Sequence, residues 1–183
     1  MRFDITKHQL MPSQPIAVLL CGGTIEKSYN EVTETTQFEG VSLRAIQTLV
    51  QTHIRPCGIQ ILFERVLQKD SLEMDDRDRG IVADKCASIH CDRIALIHGT
   101  STMTKTADVL LKDDRLKKKT IVITGAMRPY LLDGNTDAVA NVSSALTAAQ
   151  ILDPGVYIAM NGRVFRAGKV RKDIENGCFE ECE

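Results

Sequence analysis

The chain has 183 residues, of which 43% are apolar, 26% charged and 4% aromatic, and its formal net charge is -1. That is enough apolar material for the core of one ordinary domain, and it excludes disorder, which needs low hydrophobicity and high net charge. Near-neutral charge, the lack of Trp and only three Tyr and five Phe exclude nucleic-acid or membrane binding through bulk charge or base stacking.

The first twenty residues carry Arg2, Asp4 and Lys7, with no apolar run longer than 16–20. That is too short for a secretory signal or a membrane span, so a cytoplasmic location is expected. Five short runs rich in β-branched residues follow, at 16–20, 59–66, 93–97, 120–123 and 156–160, and they end at CGGT, KDS, HGTST, TGAM and MNG. Such nearly continuous apolar runs suit strands buried on both faces of a parallel sheet.

Helices are expected between them. Segment 41–54 sets Leu43, Ile46, Leu49 and Val50 on one face, and 75–89 opens with acidic residues that favour a helix N-terminus. Segment 102–111 is a third, and 135–152 turns Val139, Val142, Ala145, Leu146 and Ala149 inward before Pro154-Gly155 stops it. The alternation predicts an α/β fold: a doubly wound, mostly parallel sheet with helices on both faces. Residues 1–183 read as a single domain with its core at about 15–165, and the tail 166–183 has no assignment.

The six cysteines are Cys21, Cys57, Cys86, Cys91, Cys178 and Cys182. Cys86, His90 and Cys91 with Cys178-x-x-x-Cys182 match no paired C-x-x-C spacing, so reduced structural thiols are expected and no metal. No organic cofactor is indicated.

In an open parallel sheet, ligands sit beyond the carboxyl ends of the strands, where each polar cluster falls. Cys21-Gly22-Gly23-Thr24 turns tightly and sets a hydroxyl at the sheet mouth, with backbone N–H groups near a ligand anion. It is neither G-x-G-x-x-G nor a Walker loop, since Lys27 follows Thr24, which leaves a nucleotide-binding fold as the weakest reading. His98-Gly99-Thr100-Ser101-Thr102-Met103 holds three hydroxyls where one would cap a helix. His98 is expected to be a buried strand-end residue with local hydrogen bonds.

Together these loops resemble the bacterial-type L-asparaginase family. Its first signature resembles Gly22-Gly23-Thr24-Ile25, its second His98-Gly99-Thr100-x-Thr102-Met103, and a third block TGAMRP. Its substrate-binding loop resembles Lys69-Asp70-Ser71-Leu72-Glu73-Met74. The match runs from about residue 15 to 165 in the same order and is similar to short members with no C-terminal domain.

The resemblance implies an amidohydrolase acting on the side-chain amide of asparagine or a related small amide through a threonine acyl-enzyme. It implies Thr24 as nucleophile, Tyr29 on the following loop as its activator and Thr100 as the second hydroxyl. Substrate would be held by Gly23, Ser71, Thr100 and Ser101. The family carries Asp where this chain has Ser101, and that Asp binds the substrate ammonium in a Thr–Lys–Asp group. The group's lysine is expected near the end of the helix after TGAMRP, yet 135–155 has no Lys or Arg, so only Thr100 of the group is expected to remain. The implied partners are a small amino-acid amide and further copies of the chain, as a dimer or tetramer. The alternative is a weakened or inactive asparaginase-like module that binds a small ligand.

Overall fold

A computed structural model describes residues 14–38, 43–131 and 135–182. The N-terminal residues read above for a signal, up to residue 13, lie outside them, as do Val41 at the start of the first expected helix and Glu183.

Five strands carry the expected runs: β1 Ile16–Gly22, β4 Ile61–Lys69, β5 Arg93–Ile97, β6 Thr120–Thr124 and β7 Gly155–Met160. They pair in parallel in the order β4-β1-β5-β6-β7. Burial on both faces explains the lack of alternation. In β1, Ala17, Leu19 and Cys21 enter one apolar cluster while Ile16, Val18 and Leu20 enter the other. Because β1 lies between β4 and β5, chain order reverses there, which puts the topological switch point at the carboxyl ends of β1 and β5.

Helices cover both faces. On one side lie α2 Asp76–Ser88 and α3 Met103–Lys112, and on the other α1 Arg44–Thr48 and α4 Ala138–Ile151. Where one continuous helix is expected after residue 41, α1 gives way to a π-helical turn, Leu49–Ile54, which ends at Arg55 with φ 49°. The start of α2 is fixed by reciprocal bonds: Asp78 N–H donates to Asp75 Oδ1 at 2.8 Å and Asp75 N–H to Asp78 Oδ2 at 3.1 Å.

Three features were not foreseen. The segment after β1 is a hairpin, β2 Lys27–Asn30 with β3 Thr35–Phe38, whose turn is tied by Asn30 Oδ1 accepting from the N–H groups of Val32 and Thr33. The unassigned tail is ordered. β8 Arg163–Arg166 returns antiparallel on β7 through Asn161-Gly162, both at positive φ, the geometry that Asn-Gly supplies to a two-residue hairpin. Beyond it, β9 Val170–Asp173 and β10 Cys178–Glu181 form a second hairpin, anchored by Val170 and Phe179 in the core cluster beside α2 and α3.

All six cysteines are free. Cys21, Cys86 and Cys91 are buried, and burial pushes the Cys86 thiol up to about 12, so it stays protonated and inert.

Candidate active site

Glycine lets four loops meet at the carboxyl ends of β4, β1, β5 and β6. Gly23 has φ 92°, and a Cβ built on it would stand 2.5 Å from both Cα and N of Gly99. A Cβ on Gly99 would in turn lie 2.6 Å from Ser71 Oγ, and one on Gly22 2.5 Å from the Lys69 carbonyl oxygen. Gly125 of the TGAMRP block is pressed against the His98 carbonyl. The loops with Thr24, Ser71 and Thr100 are therefore in backbone contact, though 76 positions separate Thr24 from Thr100.

Thr24 opens the 3-10 turn Thr24–Glu26 and is half-buried. Ser71 and Thr100 are buried, while Ser101 is exposed. Tyr29 stands on β2, paired with Thr36 and 45% exposed, so it can reach a neighbour only from the outer rim. The Gly23 N–H donates to the Lys69 carbonyl at 3.1 Å, which ties the first loop to the second.

Ionic and hydroxyl contacts lock the frame. Lys27 Nζ donates to Asp70 Oδ2 at 2.6 Å, and Lys69 Nζ to Asp78 Oδ2 at 2.8 Å. Burial pushes the Asp70 carboxyl up, but the bonds from Lys27 and the Leu72 N–H outweigh it and hold the group below its usual range. Behind the third loop, buried Arg79 donates to the carbonyls of Met74 and Asp75 and, at 3.1 Å, to Thr102 Oγ1. Thr102 Oγ1 in turn donates a hydrogen bond to the Ser71 carbonyl at 2.6 Å, joining the second and third loops.

His98 is fully buried. Its Nδ1 lies 2.9 Å from the Gly99 carbonyl and its Nε2 2.9 Å from Thr106 Oγ1. A carbonyl only accepts, so Nδ1 carries the proton and Nε2 accepts from the threonine. This is a local structural role, as expected. Burial first, then the Arg79 charge, lower its pKa to about 4 against the Gly99 bond. The unfolded chain therefore binds the proton before the folded one does. Stability is complete above the ordinary value of 6.5 and is expected to fall by about 3 kcal/mol as pH drops toward 4. Urea midpoints across that range check this, and His98→Gln should flatten the slope.

The helix after TGAMRP carries no lysine, but one reaches Thr100 from the tail. Lys172, on β9, donates through Nζ to Thr100 Oγ1 at 2.9 Å. The second hairpin brings it back across 72 positions. Burial lowers its pKa, so the amine gives up its proton more readily than a surface lysine does. A hairpin signal was present in the sequence, Asn176-Gly177 between runs containing Val170 and Phe179. Nothing local showed where the hairpin docks.

A separate cleft of about 720 Å³ is walled by Glu26, Arg44, His53, Tyr130, Leu131 and Val139, among others. None of Thr24, Tyr29, Ser71 or Thr100 lines it. Among the described residues no group of three or more His, Cys, Asp or Glu is placed to hold a metal ion. Among them, too, no helix is long and apolar enough to cross a membrane.

A model of the asparaginase family, described as asparaginase, N-terminal, matches residues 15–177. L-asparaginase 2 of Bacillus subtilis is 26% identical over 168 residues, 86% of this chain and 43% of that protein. The crystal structure of L-asparaginase I from Vibrio cholerae superposes with a TM-score of 0.79 at 25% identity, over 92% of this chain and 51% of that one. A probable cytoplasmic L-asparaginase from Campylobacter jejuni gives 0.78 at 26%, over 92% and 53%. The chain thus spans about half the length of these relatives.

Proposed function

The chain belongs to the asparaginase family through the N-terminal domain, and on that premise we propose that it hydrolyses the side-chain amide of asparagine or a related small amide. Thr24 Oγ attacks the amide carbon, and Tyr29 relays its proton to the departing nitrogen. Ammonia leaves, and water then cleaves the threonine ester. A hydroxyl is a weak nucleophile without a proton acceptor, which is why both partners are required. Ser71, buried beneath Gly99, anchors the substrate carboxylate, and Thr100 activates the water with Lys172 as its partner.

The observation that carries this reading is the Lys172–Thr100 bond beside the Gly23–Gly99 contact. In its neutral form the amine accepts the Thr100 proton, and in its charged form it stabilises the resulting oxygen. Lys172→Met is expected to lower kcat by about 100-fold or more, the usual weight of a positioned acid or base. Lys172 is half-buried and methionine keeps most of its bulk, so the variant's melting temperature should stay within a few degrees. Ammonia release from a panel of small ω-amides, L-asparagine among them, tests the reading; none from any of them would end it.

A ligand-binding module without turnover is favoured by one observation, the neutral and exposed Ser101. Its other support, a missing lysine, is removed by Lys172. Calorimetric binding without ammonia release would be its signature. We further place the protein in the cytoplasm, in line with the description of the Campylobacter relative, as a dimer or tetramer acting on a small amide.

A further inference from the structure

The charges around the three hydroxyls distinguish between substrates. Among the described residues, the carboxylates on the site loops face cations. Asp70 pairs with Lys27, Asp78 with Lys69 and Glu26 with Arg65, while the charge of exposed Glu73 acts on Lys69. The two cations beside Thr100 and Thr102 are not balanced in this way. Lys172 bonds a neutral hydroxyl, and burial alone acts on its pKa, with no carboxylate raising it. Arg79 spends its donors on two carbonyls and on Thr102 Oγ1. Between Thr100 and Thr102 stands Ser101, exposed and uncharged, and next to Ser71 stands Leu72, 74% exposed. Neither offers an anion to a substrate ammonium, and both cations repel one.

We propose that this site takes monoanionic ω-amides, small carboxylates that bear a side-chain amide and no neighbouring ammonium, of which succinamate is the simplest. The inference rests on the hydrolase reading above. The reaction is unchanged: the bond from Thr24 Oγ to the amide carbon forms, the C–N bond breaks and ammonia departs. Water then opens the ester to succinate and returns the proton to Thr24.

Steady-state ammonia release from succinamate and from L-asparagine by the full chain tests this. We expect kcat/KM for succinamate to be higher by about 10- to 100-fold, the weight of one charge-assisted bond that the zwitterion cannot make here. Ser101→Asp should shift the ratio toward L-asparagine by a similar factor. If the native chain prefers L-asparagine, the inference is overturned and the hydrolase stands; if neither releases ammonia, both fall. Thr24→Ala protein titrated with succinate and with L-aspartate reads binding without turnover. Tighter succinate is expected, and tighter L-aspartate overturns the inference even where Ser101→Asp does not fold.

Discussion

Thr24→Ala is expected to lower ammonia release at least about a thousandfold while leaving the fold intact, because removal of a nucleophile takes the covalent route with it. The residue is half-buried in a short 3-10 turn held through the backbone: Glu26 N–H donates to the Gly23 carbonyl at 3.1 Å, and Lys27 N–H to the Thr24 carbonyl. Alanine keeps both. The unfolding midpoint should therefore move by less than about 1 kcal/mol equivalent, as for most changes outside a packed core. Steady-state assays alongside urea melts separate the two effects. Activity that survives would remove Thr24 from the chemistry and leave Thr100 with Lys172 as the reacting pair.

Gly23→Ala is expected to be strongly destabilising. Two costs combine. At φ 92° and ψ 176° a side chain is strained whatever the space around it, worth about 1–3 kcal/mol. The added Cβ would also stand 2.5 Å from Cα and N of Gly99 and 2.9 Å from the His98 carbonyl carbon, backbone atoms that no rotamer change can clear. A total of roughly 3–5 kcal/mol follows, a large share of a typical domain's stability, with a melting temperature lower by roughly 10 °C. Because the same methyl would push the first loop off the third, ammonia release should fall further than the loss of folded protein accounts for. A native melting temperature in this variant would mean that the two loops do not touch.

The five parallel strands were legible because a strand covered on both faces must be apolar at nearly every position. The runs ending at Leu20, Ile97 and Met160 carry that requirement openly. The covering helices were legible from three- and four-residue spacing, and α2 also from the acidic residues that cap it. The β2–β3 hairpin was not. Lys27, Ser28, Tyr29 and Asn30 face Thr35, Thr36, Gln37 and Phe38 with little to bury, so no apolar alternation announces them. At the site, Thr24, Ser71 and Thr100 were named from the resemblance of their loops to the asparaginase family. The bond from the Gly23 N–H to a carbonyl 46 positions away was not legible, because no local pattern encodes that pairing.

Lys172 marks the same boundary. Its hairpin was written in Asn176-Gly177, but its target was not, because docking is decided by Val170 and Phe179 finding space in a core built from α2, α3 and the sheet. The sequence by itself determined which segments are strands and helices, where each loop falls along a strand and which hydroxyls those loops carry. Those properties depend on neighbours a few residues apart. Only the tertiary structure decided which loops touch, which lysine serves Thr100 and which charges go unbalanced around it. These depend on strand order and hairpin docking, and so on close packing between residues that the chain itself keeps far apart.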